Sequence, residues 1–178
     1  MHMADALMSP AVGTALWGSS AVAMAYSSKK VQSGLDDNKI PLMGVMGAFV
    51  FAAQMINFTI PMTGSSGHIG GGLLLSIILG PYAAFITMAS ILAIQALFFA
   101  DGGLLALGAN IINLGFFTCF IAYPYIFKPM MKNKFDEKNL FKDSLTASII
   151  GLQMEAFAVV FETLISGKTE LPFWNFLL

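Results

Sequence analysis

Charge is what this sequence has least of. Of its 178 residues only 11% are Asp, Glu, Lys or Arg, against 57% hydrophobic, and the mean hydropathy is +0.76. A soluble domain carries about 25% charge, so most of this chain must face something other than water. Several apolar runs reach or approach the roughly 20 residues that span a bilayer, which makes it an integral membrane protein. Arginine is absent altogether, and nine lysines against ten acids leave a net charge of −1, so there is no basic field for nucleic acid. The single cysteine, Cys119, lies inside an apolar run, cannot form an intrachain disulfide and reads as packing. No G-x-x-x-x-G-K-[ST] motif occurs, so nucleotide hydrolysis cannot be assigned to this chain.

What is there is a series of six apolar runs, at about 10–27, 40–58, 69–80, 82–100, 103–127 and 144–166. The third has only about a dozen residues, roughly 18 Å of helix, and is expected as a half-membrane helix buried in the bundle, turned into the fourth by Gly80-Pro81. An outside N-terminus puts Lys29, Lys30, Lys39, Lys128, Lys132, Lys134, Lys138 and Lys142 on the cytoplasmic side and only Lys168 opposite. By the positive-inside rule the N-terminus, the His68 loop, Asp101 and the 167–178 tail are therefore extracytoplasmic. The first lysines follow the first apolar run, so the start does not read as a cleaved signal peptide. The expectation is an all-α multi-pass bundle forming a single domain, 1–178, without internal repeats. Small residues should line its helix contacts, in the rows Ala15, Ser19, Ala23 with Ala21 and Ala25 on the first helix and Gly44, Ala48, Ala52 on the second, or else offer a docking face to another membrane subunit.

Only two histidines exist, His2 and His68, and both fall on the outer side. A free amine at Met1, the amide nitrogen of residue 2 and the His2 imidazole can wrap one metal ion in two fused chelate rings, with His68 as a fourth nitrogen. Such a planar set, with the amide deprotonated, suits Ni(II) or Cu(II) rather than tetrahedral Zn(II). It requires Met1 to be retained, which the bulky second residue favours. Against this stand plainer readings: His2 as a disordered terminal residue or a cloning remnant, and His68 as a hydrogen-bonded loop residue. Gln54 and Asn57, one turn apart near the His68 loop, are either interhelical hydrogen-bond partners or supports that orient the ligands, with Asp5 and Ser66 as further candidate supports. Asn110 and Asn113 read as packing glue, and Asp5, Asp101, Glu162 and Glu170 as an acidic outer rim. Glu155 and Glu162 share a helix face without an obvious buried cation. Twelve methionines are mostly gap-fillers in the spans, with Met1, Met3 and Met8 keeping a soft copper site as a minor alternative. Gly64-Ser65-Ser66-Gly67 fits a G-x-S-G nucleophile pattern, a remote intramembrane serine protease reading that lacks a well-placed base.

The sequence resembles the substrate-binding S-component of energy-coupling-factor transporters for nickel and cobalt, the NikM/CbiM family, over almost its whole length. The residues that carry the likeness are Met1-His2-Met3-Ala4-Asp5-Ala6-Leu7-Met8-Ser9-Pro10, Gln54-Met55-Ile56-Asn57-Phe58, and Thr63-Gly64-Ser65-Ser66-Gly67-His68 with Gly70-Gly71-Gly72. Gly80-Pro81 and Ala100-Asp101-Gly102-Gly103 also match. The resemblance implies an N-terminus folded back into the bundle and Ni(II), with Co(II) second, held by Met1, His2 and His68. It implies a non-enzymatic import subunit in the prokaryotic inner membrane. A transmembrane coupling subunit, cytoplasmic ATPase subunits and a small accessory membrane protein would be its partners. A stand-alone metal carrier is the alternative. Family members continue past a segment like Glu170-Leu171-Pro172-Phe173 into a seventh span, where this chain ends at Leu178.

Overall fold

The computed structural model describes residues 2–34, 39–60, 65–131 and 136–168. Six helical rods appear where the apolar runs place them: α1 (Pro10–Gln32), α2 (Lys39–Gln54), α3 (Gly72–Leu79), α4 (Pro81–Phe98), α5 (Leu107–Met131) and α6 (Glu137–Ser166). Three of them, α4, α5 and α6, are long and apolar enough to cross a membrane by length and composition. Their outer faces expose large apolar side chains such as Leu97, Phe98, Phe157 and Phe161, the surface expected against lipid tails rather than water.

Local chemistry sets the helix ends. Ser9 caps α1, its hydroxyl accepting from the Val12 amide at 3.4 Å, and Pro10 supplies the fixed φ of the first turn. Gly80, at φ 79°, ends α3, and Pro81 starts α4, so the half-helix folds straight back into a full one. At eight residues α3 extends only ~12 Å, and it is buried through Leu73, Leu75, Ser76 and Leu79. Around it Phe85, Met88, Leu92, Leu114 and Val50 form the largest apolar core. The middle of α5, Ile111–Phe127, is wound as a π-helix, with Pro124 inside it. Gly108 lets α5 approach α1: a Cβ there would come within 2.5 Å of the Trp17 backbone nitrogen.

The small-residue rows are displaced from their expected positions. On α1 the buried small residues are Gly13, Ser20 and Ser27, whereas Ala15, Ser19, Ala21 and Ala25 are exposed and Ala23 is half-buried. On α2 the buried face is Gly47, Val50 and Gln54, and Gly44, Ala48 and Ala52 face outward. Small residues occur on both sides of these helices, so their spacing does not by itself say which side packs.

One element has no counterpart in the sequence reading, a small antiparallel sheet of order β1-β3-β2 formed by β1 (His2–Met3), β2 (Phe58–Ile60) and β3 (Ser65–Gly67). β2 and β3 pair Phe58 with Gly67, and β1 adds to the other edge of β3 with His2 opposite Ser66 and Met3 opposite Ser65. The Gly/Ser stretch read as a loop is thus partly the central strand. The Phe58 ring lies over Gly67, filling the space a Cβ would need.

Candidate metal site

Strand register brings the two histidines together. His2 lies opposite Ser66, and His68, two residues further on, falls on the same side, within diagonal reach of a long side chain. The two rings sit with centroids 4.5 Å apart at an interplanar angle of 36°. His2 is 2% exposed. Nε2 of His2 and Nε2 of His68 have no hydrogen-bond partner among the described residues, and Nδ1 of His2 meets the Asp101 carboxylate. Buried ring nitrogens left open in this way are costly in a folded protein unless a further partner or a ligand completes them.

The tautomer of His68 follows from its neighbour. Its Nδ1 is 2.8 Å from the Ile69 carbonyl, which can only accept, so Nδ1 carries the proton and the Nε2 lone pair points free. Burial pushes the His68 pKa down to about 4, so at neutral pH this imidazole is a neutral donor that need not shed a proton to bind metal. His2 Nδ1 lies 3.2 Å from Asp101 Oδ1, and the other oxygen of Asp101 accepts from Asn57 Nδ2 at 3.1 Å. Asn57 thus acts on His2 through Asp101. Gln54 donates from Nε2 to the Gly70 carbonyl at 2.7 Å and fixes the segment just past His68.

The N-terminal strand is held from the other side by α5. Asn110 receives the Met3 amide on Oδ1 at 2.8 Å and donates from Nδ2 to the Met3 carbonyl at 3.2 Å, and the Gly103 amide reaches the same carbonyl at 3.0 Å. Asn110 is therefore a clamp on the chain start rather than interhelical glue. Asn113 does bridge helices, donating to Glu162 Oε2 at 2.8 Å. Replacing Asn110 by Leu orphans the buried Met3 amide while Gly103 still serves the carbonyl, a cost of about 1–3 kcal/mol. The expected outcome is faster hydrogen exchange at the Met3 amide with helicity unchanged, read by exchange mass spectrometry and circular dichroism.

The other expected site residues fall as follows. Met1 lies outside the described residues, as does Glu170. Ser66 pairs with His2 through the strand register. Asp5 bonds to the loop before α5: its Oδ1 accepts from the Ala106 amide at 2.9 Å and pins the chain start there. The acidic rim is not an open one: Glu162 is 7% exposed and bonded to Asn113, and Asp101 is 14% exposed and paired with His2. Glu155 is fully buried on α6, facing Gly70. Cys119 is buried in the core. Among the described residues no three His, Cys, Asp or Glu side chains form a metal-holding group by themselves. Two imidazoles there need completing by other donors.

The family profile described as "cobalt uptake substrate-specific transmembrane region", CbiM, matches residues 2–178. The chain belongs to the CbiM family. A putative metal transport protein of Haloquadratum walsbyi is 40% identical over 123 residues, covering 69% of this chain and 56% of that protein. A putative fused nickel transport protein of Archaeoglobus fulgidus is 38% identical over 128 residues, covering 72% and 42%. A crystal structure of a truncated transition metal transporter superposes with TM-score 0.83 at 34% identity, covering 92% of this chain and 74% of that one. The chain spans about half the length of the curated relatives it matches. Membership of the CbiM family fits the multi-pass helical architecture.

Sequence reasoning passed over Asp101 as a rim acid and Asn110 as packing. The signal that could have found Asn110 is polarity inside a span, where each amide must find partners. For Asp101 it is the glycine pair that follows. Gly102 has φ 89° and its missing Cβ leaves room for Asn110 and His2, while a Cβ on Gly103 would run into Asp5. The turn is built so that the chain start can lie against it.

Proposed function

We propose that this CbiM-family chain captures Ni(II), with Co(II) second, at the extracytoplasmic face and is the metal-specific subunit of an ATP-driven importer. The observation that carries the reading is the pair of imidazoles, the only two in the sequence, one buried and one half-buried, with rings 4.5 Å apart and an Nε2 on each that has no partner among the described residues. The donors that complete the set are the Met1 amine and the residue-2 amide, with His2 closing the second chelate ring through Nδ1 and His68 adding Nε2. An all-nitrogen plane stabilises Ni(II) far more than Zn(II); Gln54, through the Gly70 carbonyl, orients His68, and Asp101, held by Asn57, positions His2 in the empty site and gives up its contact with Nδ1 when the metal takes that nitrogen. The metal is cargo, so release must follow binding. The sequence carries no G-x-x-x-x-G-K-[ST] motif, and energy comes from cytoplasmic ATPase subunits acting through a transmembrane coupling subunit, with a small accessory membrane protein alongside.

Two measurements test this. Titration of the untagged chain with Ni(II) should give the short-wavelength visible band of a planar complex, and Zn(II) should compete poorly. Vesicles holding the chain alone should bind Ni(II) without sustained uptake, which appears when coupling and ATPase subunits and ATP are supplied. Equal uptake by the chain alone would make it a stand-alone carrier.

A further inference from the structure

The hydrogen bond from Gln54 to Gly70 has a direction with consequences deeper in the bundle. A backbone carbonyl only accepts, so Gln54 must turn its NH₂ toward Gly70 and its oxygen the other way. That oxygen receives Nε2 of Gln95, from α4, at 3.0 Å. Both glutamines are 0% exposed. Oε1 of Gln95 has no partner among the described residues, so the bond to Gln54 is the one its side chain makes there. The main chain of Gln95 serves the other histidine: its carbonyl accepts from the Asp101 amide at 3.1 Å, and Asp101 faces His2 Nδ1. One buried residue is thus tied to both histidine-bearing segments.

We propose that Gln95 is a positioning residue for metal capture, its side-chain amide acting through Gln54 to hold the Gly70 carbonyl and so keep His68 Nε2 aimed at His2. This rests on the metal-site reading above and extends it to a residue on a different helix. The segment it restrains needs restraint, because three glycines in a row, Gly70, Gly71 and Gly72, come after His68-Ile69 and glycine has the most backbone freedom to lose. Two amides in an apolar bundle cost free energy unless each is satisfied. Apolar side chains of the same length would fill the space without that cost, but would leave the Gly70 carbonyl unheld.

The test uses the full chain with its native N-terminus in detergent, titrated with NiCl₂. Gln95→Met, close in shape but unable to donate, should weaken Ni(II) binding by about 10- to 100-fold. Gln54→Met should do the same, and the double variant no worse than either. Introduced into His68→Ala, Gln95→Met should change nothing further, because the relay acts only through His68. A residue that merely supports the bundle would weaken both backgrounds equally. Should Gln95→Met fail to fold, the double variant, which leaves no glutamine facing an apolar partner, carries the same comparison. Unchanged binding by Gln95→Met in the otherwise native chain, or an equal loss with and without His68, overturns the relay. If the unsubstituted chain does not bind Ni(II), or His68→Ala binds as tightly as it, the ligand set itself falls and the relay with it.

Discussion

Adding Gly-Ser ahead of Met1 should abolish tight Ni(II) binding while the helical bundle stays intact. The proposed site uses the terminal amine, the next amide and the His2 imidazole as one chelate, and a single added residue converts the amine into an amide and moves the charge-bearing end away from His2. A planar set that loses two fused rings keeps only isolated imidazoles, a loss of roughly a thousandfold or about 4 kcal/mol. His2 and Met3 are also buried, at 2% and 0% exposure, so an extension has no room to lie back on the same path. His68→Ala should be milder, leaving three nitrogens open to solvent. Calorimetric titration of the extended, His2→Ala and His68→Ala chains checks the order. An extended chain that binds as tightly as the native one would place the site elsewhere.

Gly103→Ala should be the most damaging conservative substitution near the site. The Gly103 amide donates to the Met3 carbonyl at 3.0 Å, and a Cβ at Gly103 would meet both the Asp5 carboxylate and its backbone nitrogen, the latter at 2.5 Å. Moving Asp5 breaks its bond to the Ala106 amide. Overpacking costs about 1–3 kcal/mol and an orphaned buried amide a similar amount, so about 2–6 kcal/mol in all. The expected result is release of the N-terminal strand and loss of metal binding, with far-ultraviolet dichroism nearly unchanged because the helices do not depend on it. Gly44→Ala is the control, since nothing lies within 4 Å of its added methyl. Equal metal affinity for both variants would show that β1 does not need this turn.

Local patterns in the sequence determined the helices. Length and hydropathy placed six rods, the short α3 among them, and Gly80-Pro81 marked the turn between α3 and α4, because chain stiffness and capping act within a few residues. The rarity of histidine singled out His2 and His68. Only the tertiary structure decided how they meet. The strands that bring them together, β1 and β3, are two and three residues long, and β3 consists of Ser and Gly alone, too short and too weakly patterned to announce a sheet. Their pairing joins the chain start to a segment some sixty residues on, a contact whose stability comes from Asn110, Gly103 and Asp5 on yet another part of the chain. The buried faces of α1 and α2 were likewise left undecided by spacing, because small residues lie on both sides of each helix and only the neighbours settle which side is covered.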